Sequence, residues 1–480
     1  MNRSADSPDS IDVVRRRVTD GVDAAVRRTT AHLPDVVKRQ LAGPYNRFKV
    51  AEANREFRAR TAPSRTPATD TPDHVVVVVV DALRADMVEH ESCPFIAERS
   101  LGAAITPSPW TFPAVTSLLT GRYPHEHGAM RHADEATRAS TELVVPPRLP
   151  DEDETVPEVF ASAGYRTFGA FAFHMPFFAL SGRFENHALY DDADAGTLLS
   201  DAATRLEERG AESTFSYLHL GDLHEPVDPP DRYWTAHDVD ASIPNLRRWD
   251  FVDVVDPGPD GERFRRHRER LYRAALAAVD DQLRRFHDRV LDRLDGDVVL
   301  LVTGDHGEGL WDHTAFDAAH FVDSRPAYCV DHGGTPYEAI ARVPLAVDGL
   351  DLEPFDSVTA PASLVDVAPT LLDAIGLSDA IPTSGHPLTT PPSTDRIPLV
   401  EATRYGYEKK AVYYDGWKLL VSRRDDVSVG FSLPAEEPVE LPTEVERRLI
   451  EALPAWPDGT GVDVRVSGMA RDRLEDLGYV

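Results

Sequence analysis

Thr111 lies in the run Ser108-Pro109-Trp110-Thr111-Phe112-Pro113-Ala114-Val115-Thr116-Ser117-Leu118-Leu119-Thr120-Gly121. Two prolines stiffen its entry, and the segment reads on as a helix ending at a glycine. A hydroxyl at a helix N-terminus stands beside free N–H groups and the positive end of the helix dipole, both favourable to an anion. Alone it is a weak nucleophile at neutral pH and needs a base or a metal ion. Upstream, Asp81 closes an apolar run. Downstream, a second such run closes on Thr303-Gly304-Asp305-His306-Gly307-Glu308-Gly309. Asp81, Asp305 and His306, together with Thr111 itself, offer the mixed oxygen and nitrogen ligands that suit Mn, Mg, Ca or Zn. Each aspartate alone could be a strand-end cap; two such ends in matching company point to a metal-activated alkoxide and to ester chemistry at phosphorus or sulfur.

The elements that must position these residues are readable. Residues 75–80 form a continuous β-branched run without alternation, as a parallel strand buried on both faces requires. Similar runs recur at 165–173, 214–220 and 298–303, with helical patterns between them, such as Leu271, Ala275, Ala278, Leu283 and Phe286 within 264–294. This alternation predicts an α/β fold, a doubly wound and mostly parallel sheet flanked by helices. Ligands bind such sheets beyond the carboxyl ends of the strands, where Asp81, Asp222 with His224, and Asp305 with His306 fall. A hairpin turning at Asp415-Gly416 and a helix over 444–453 predict a small C-terminal antiparallel subdomain. The expected organisation is a basic helical extension over 1–62, a Pro/Thr-rich linker over 63–73, a catalytic domain over 74–395 and the subdomain over 396–480. No internal repeat is seen.

Composition narrows the class. The chain has 480 residues, 42% hydrophobic, with 81 acidic against 51 basic side chains and a net charge of −30. Lysine is scarce, at Lys38, Lys49, Lys409, Lys410 and Lys418. Such a surface reads as adaptation to a high-salt cytoplasm, where molar salt shortens the Debye length to about 3 Å. It argues against nucleic acid as a partner but not against an anionic substrate, because a bound metal reverses the local field. Cys93 and Cys329 make no disulfide framework. With no secretory signal legible, a cytoplasmic protein is expected. Val14, Val18, Val22, Ala25 and Val26 recur at helical spacing among arginines, an amphipathic helix that would either pack on the acidic domain or touch a membrane surface.

The motifs resemble the sulfatase branch of the alkaline phosphatase superfamily over about residues 74–425. Matching segments are Asp81-Ala82-Leu83-Arg84-Ala85-Asp86, 111–121, Tyr123-Pro124-His125-Glu126-His127-Gly128 and Gly164-Tyr165-Arg166-Thr167. Further on come Asp222-Leu223-His224-Glu225-Pro226, Gly304-Asp305-His306-Gly307-Glu308, Tyr337-Glu338 before Arg342-Val343-Pro344-Leu345, and 364–372. The resemblance implies an alkaline phosphatase/sulfatase-like fold and a divalent metal. Departures redirect the chemistry. Sulfatases similar to this chain carry a cysteine or serine, converted to formylglycine, where Thr111 stands, and threonine cannot form that aldehyde. The family's following arginine is Val115, its second aspartate after the first strand is Ala82, its asparagine after the later aspartate is His306, and a lysine aligns with Ala172.

An unmodified threonine with Asp–His ligands is similar instead to the phosphodiesterase, phosphonate-hydrolase and phosphoglycerol-transferase branches. That resemblance implies that Thr111 attacks phosphorus in line and that His224 and His174 bind the transferring group. His313 or His332 would protonate the leaving oxygen. A second ion at Asp222, His224 and His332 is the alternative to a single-ion site. His125, His127, His132 and His320 read as ordinary loop or core histidines. The leading reading is a metal-dependent hydrolase or transferase of phosphate esters or diesters. The alternatives are a sulfuric ester hydrolase, or a non-catalytic protein that holds an anionic glycan or lipid headgroup. The substrate expected is a small-molecule, glycan or lipid-headgroup ester, with specificity in the polar insertions 131–153 and 226–266.

Overall fold

Six consecutive valines leave β1 (His74–Val80) no polar face, and the strand is buried along its whole length. Each such side chain contributes roughly 1.5–3 kcal/mol on leaving water. The computed structural model describes residues 35–60, 63–130, 146–190, 193–209 and 212–456. The amphipathic pattern at Val14–Val26, His132 and much of the 131–153 insertion lie outside them. The chain divides into two units, Met1–Glu52 and Ala53–Val480; the first ends within helix Asp35–Ala59, and the second holds everything that follows. No helix among the described residues is long and apolar enough to cross a membrane.

The remaining strands are β2 (Ser100–Ile105), β3 (Arg166–Phe171), β4 (Asn186–Leu189), β5 (Thr214–Leu220), β6 (Val298–Gly304), β7 (Gly309–Leu310), β8 (Val330–Asp331), β9 (Arg342–Asp348), β10 (Leu399–Val400), β11 (Lys410–Tyr414), β12 (Trp417–Ser422), β13 (Val427–Ser432) and β14 (Glu437–Val439). The main sheet has seven strands in the order β2-β9-β6-β1-β5-β3-β4. From β6 to β4 it is parallel; β9 runs antiparallel to β6, and β2 antiparallel to β9. This is the expected doubly wound, mostly parallel architecture.

Val76, Val78 and Val80 pack with Leu271, Ala275, Val279 and Leu283 of helix Gly258–Arg289. Val75, Val77 and Val79 point to the opposite face and are equally buried, so helices cover both sides. The 165–173 run is cut short: β3 stops at Phe171, and His174 already begins helix His174–Leu180.

A five-stranded antiparallel sheet, β10-β11-β12-β13-β14, forms the expected C-terminal element, followed by helix Thr443–Glu451. Its β11–β12 hairpin turns at Asp415 and Gly416, both at positive φ (46° and 78°), the geometry a two-residue hairpin turn demands.

Register is what matters for function. Val80 pairs with Leu220 on one side and with Gly304 on the other, so the residues that follow β1, β5 and β6 emerge level with one another. Two glycines let the β6 turn close. A Cβ on Gly304 would meet the Leu83 carbonyl oxygen at 2.9 Å, and one on Gly307 would run into the carbonyl oxygen of Ala339. Beyond the turn, β7 and β8 form a separate ribbon in which Gly309 pairs with Asp331.

Candidate active site

Thr111 is the first residue of helix Thr111–Thr120, which follows the extended Trp110 and ends at Gly121 with φ 67°. The Trp110 indole N–H donates to the Ala402 carbonyl at 2.7 Å, and the Thr106 hydroxyl bonds to the carbonyls of Ser108 and Asp305. The loop before Thr111 is thus tied to the turn after β6. The hydroxyl of Thr111 donates to Asp81 Oδ2 at 3.2 Å, and His306 Nε2 lies 3.3 Å from the same oxygen. His306 Nε2 also stands 3.7 Å from Asp81 Oδ1 and 3.5 Å from Asp305 Oδ2. Asp81, Thr111, Asp305 and His306, expected from sequence to act together, are therefore brought together, and all four are buried.

Two carboxylates this close, out of water, disturb each other. Burial opposes ionisation of Asp81, but the hydrogen bond from His219 and the neighbouring imidazoles of His306 and His224 outweigh it, holding that carboxyl well below the usual range. Asp305 moves the other way, raised by burial and by the neighbouring Asp81 charge. Asp305 Oδ1 accepts from the backbone N–H of His306 at 3.0 Å and of Ala82 at 3.3 Å. Asp81 Oδ1 and Asp305 Oδ2, by contrast, are buried with no hydrogen-bond partner among the described residues. Such orphaned oxygens carry a full desolvation penalty unless a cation meets them. The residues present fit a divalent ion: two orphaned carboxylate oxygens, an imidazole and a hydroxyl, which are hard or borderline donors.

Ala82, where the related family carries a second aspartate, adopts φ 62° and is held by the Tyr272 hydroxyl donating to its carbonyl at 2.7 Å. The alanine methyl at that position adds no ligand.

His219 and Asp331, which the motifs did not single out, complete the surroundings. His219, on β5, places Nε2 3.2 Å from Asp81 Oδ2 and groups with Asp81 and Asp305 at ligand-like separations. A second group, Glu308, Asp331 and His332, is assembled by the β7–β8 ribbon. There His332 Nδ1 lies 2.9 Å from Asp331 Oδ1 and 3.2 Å from Glu308 Oε1. Burial opposes a charge on His332, but Asp331 and Glu308 override it and raise the imidazole well above its ordinary value. Glu308 is raised by burial, and its Oε2 has no hydrogen-bond partner among the described residues.

The other sequence-predicted residues divide. His224 donates from Nδ1 to its neighbour's carbonyl, Glu225 O, at 2.8 Å, and its ring stands 5.3 Å from that of His332 and 5.2 Å from that of Phe173. His174 follows Phe173 in the chain, and its ring leans on Phe178 at 5.7 Å. His313 goes elsewhere. Its Nε2 bonds Glu436 Oε2 at 2.8 Å and its ring stacks on Tyr337 at 4.5 Å, fastening the small sheet.

The alternative second-ion set of Asp222, His224 and His332 is not assembled either. Asp222 Oδ1 accepts the Ala195 N–H at 3.0 Å at the start of helix Ala195–Arg209, and burial pushes its carboxyl up to about 6. His332 is committed to Asp331 and Glu308 instead.

Fold and site together define a class: an alkaline-phosphatase-like α/β fold with candidate metal ligands at the carboxyl ends of β1 and β6. More specifically, the Sulfatase family profile matches residues 73–377, and the chain belongs to that family, whose members use a divalent metal. Similar solved structures include BT1596, a 2-O glycosaminoglycan sulfatase (TM-score 0.58, 15% identity, covering 80% of this chain and 90% of that one). The phosphonate monoester hydrolase of Silicibacter pomeroyi is another (TM-score 0.53, 15% identity, 75% and 89%). A third is an alkaline phosphatase superfamily protein from Vibrio parahaemolyticus (TM-score 0.52, 14% identity, 84% and 93%). At these identities the likeness is one of fold. Comparison with curated protein sequences gave no match.

Proposed function

We propose that this sulfatase-family hydrolase acts on phosphate esters or diesters, with unmodified Thr111 as the nucleophile. The observation that carries the reading is the threonine hydroxyl set 3.2 Å from Asp81 Oδ2 and 3.3 Å from His306 Nε2, in a place where no formylglycine can form. A divalent ion held by Asp81, Thr111, Asp305 and His306 would acidify the hydroxyl and neutralise oxygens of the transferring group. Asp81 Oδ2 accepts the hydroxyl proton as Thr111 Oγ1 bonds to phosphorus and the P–O bond to the leaving alcohol breaks. His332, charged through Asp331 and Glu308, supplies the proton that the leaving oxygen takes up. His224, whose Nδ1 is engaged by the Glu225 carbonyl, would bind the transferring group through Nε2, together with His174. Water or an acceptor alcohol then attacks phosphorus and gives a proton back to His332, the Oγ1–P bond breaks, and Asp81 returns the proton to Thr111.

Several of the similar structures are sulfatases acting on sulfated sugars, which supports a second reading as a sulfatase on a glycan ester. The replacement of that family's arginine and lysine by Val115 and Ala172 favours phosphorus. The test is turnover of an aryl phosphate, a bis-aryl phosphodiester, an aryl phosphonate and an aryl sulfate in molar KCl with Mn, Mg, Ca or Zn, wild type beside Thr111→Ala. Thr111-dependent turnover of phosphorus esters alone supports the proposal; turnover of the sulfate overturns it. No turnover at all, with no stoichiometric metal, would favour a silent anion-binding protein.

A further inference from the structure

We propose that His219 is a positioning residue and not an ion ligand: with its tautomer set by Tyr217, it holds Asp81 by Oδ2 and leaves Oδ1 to the cation. Distance alone suggests the opposite, since a ring nitrogen of His219 groups with Asp81 and Asp305 at ligand-like separations. The hydrogen bonds decide between the two. Tyr217 and His219 alternate on β5, so both side chains leave the same face of the sheet, and both are fully buried.

The Tyr217 hydroxyl lies 2.9 Å from His219 Nδ1, its one hydrogen bond among the described residues. A buried phenol has one proton to place and here a single acceptor for it, so Nδ1 accepts. The ring proton then belongs to Nε2, which faces Asp81 Oδ2 at 3.2 Å as an N–H donor to a carboxylate. An imidazolium would donate from Nδ1 and strand the phenol proton in a site without water-facing surface.

His306, on the other side of the same carboxylate, has the opposite tautomer. Its Nδ1 is 2.8 Å from the Gly307 carbonyl, which can only accept, so the proton sits on Nδ1 and Nε2 presents a lone pair. That lone pair faces Thr111 Oγ1, Asp305 Oδ2 and Asp81 Oδ1. Three acceptors, two of them partnerless oxygens, thus converge where a cation belongs, and His219 turns a proton toward Asp81 instead. The inference rests on the reading that Asp81, Asp305 and His306 hold the ion, and outer partners of this kind orient ligands and raise their affinity.

The test uses the full chain labelled with 15N-histidine, without metal and then with 113Cd²⁺, His219→Gln and His306→Gln assigning the resonances. The expected metal-free spectrum has His219 protonated at Nε2, and added 113Cd²⁺ splits the Nε2 signal of His306 only. Splitting at His219 Nε2, or a metal-free His219 protonated at Nδ1, overturns the proposal. Bound 113Cd²⁺ that splits neither histidine sinks the ion set itself, while the metal-free tautomer still tests the Tyr217–His219 link. Calorimetry with Mn²⁺ gives an independent readout. His219→Leu should weaken binding about 10–100-fold, and His219→Gln, whose side-chain amide can donate from the position of Nε2, should recover most of it. Equal losses in the two variants would make His219 a ligand.

Discussion

The rings of His306 and His332 lie 4.2 Å apart, centroid to centroid, and this contact joins the carboxylate pair at the ends of β1 and β6 to the Glu308–Asp331 pair on the β7–β8 ribbon. One imidazole faces the Thr111 hydroxyl and the other is kept charged by two acids. In the proposed reaction the hydroxyl beside the first ring would attack phosphorus and the second ring would give a proton to the leaving oxygen.

If His332 protonates the leaving oxygen, its loss should depend on the leaving group. His332→Gln is expected to lower turnover of an alkyl phosphodiester by about 10²–10⁴-fold. A nitrophenyl ester, whose leaving group needs no proton, should lose far less. Paired kcat measurements on the two esters check this; equal losses would assign His332 to binding or folding.

Replacing one orphaned carboxylate should separate stability from metal binding. Burial and the Asp81 charge raise Asp305, so its ionised form costs stability in the metal-free protein at neutral pH, a penalty that fades as pH falls and the group protonates. Asp305→Asn keeps the acceptor for the Ala82 and His306 amides and removes the repulsion. Melting curves should show the metal-free variant more stable than wild type by ~1 kcal/mol or more. The gain on adding Mn²⁺, about 2.7 kcal/mol at 100 times Kd for wild type, should largely vanish in the variant. A variant less stable without metal would mean that the pair is not in conflict.

Two buried histidines predict acid sensitivity. His187 Nε2 accepts the Gly182 amide at 3.2 Å, and His127 Nδ1 accepts the Ala129 amide at 3.0 Å, so neither ring can take a second proton without breaking that bond. Burial lowers each to about 3. The folded-state value lies below the unfolded one, so the unfolded chain binds more protons between about pH 6.5 and 3. Their stabilisation is complete above the upper limit and declines as pH falls toward the lower, by up to about 1.4 kcal/mol per pH unit for each ring. Comparing the pH dependence of Tm for wild type and His187→Gln checks this; the wild type should be the steeper.

A net charge of −30 predicts a salt requirement, and we expect Tm to climb steeply with KCl. Most of the gain from screening should come before about 1 M, where the Debye length is already near 3 Å. Thermal melts from low salt to multimolar KCl test it, and a flat curve would remove the high-salt reading of the composition.

Local chemistry was enough to place much of this protein. An unbroken valine run has one economical home, a parallel strand covered on both faces, and Asp415-Gly416 demands a tight hairpin, so the sheet class and the small C-terminal sheet could be read from residue order. That Asp81, Thr111, Asp305 and His306 would meet could be read too, because each stands at an element boundary and the four share one donor chemistry.

His219 could not, because a histidine inside an apolar strand carries no local mark. Its part depends on the β1–β5 register that sets it beside Val79 and reaches Asp81, and on Tyr217 two residues away. Asp331 and Glu308 were separated in the same way, twenty-odd residues apart until the short β7–β8 ribbon paired their strands. Sequence position alone did not show that Asp222 Oδ1 would accept a helix-start amide or that His313 would bond Glu436. Sequence determines which side chains can ionise, coordinate or attack. Which of them share a proton or a cation is decided by strand register and turn geometry, because those interactions act over a few ångströms that only the folded chain brings about.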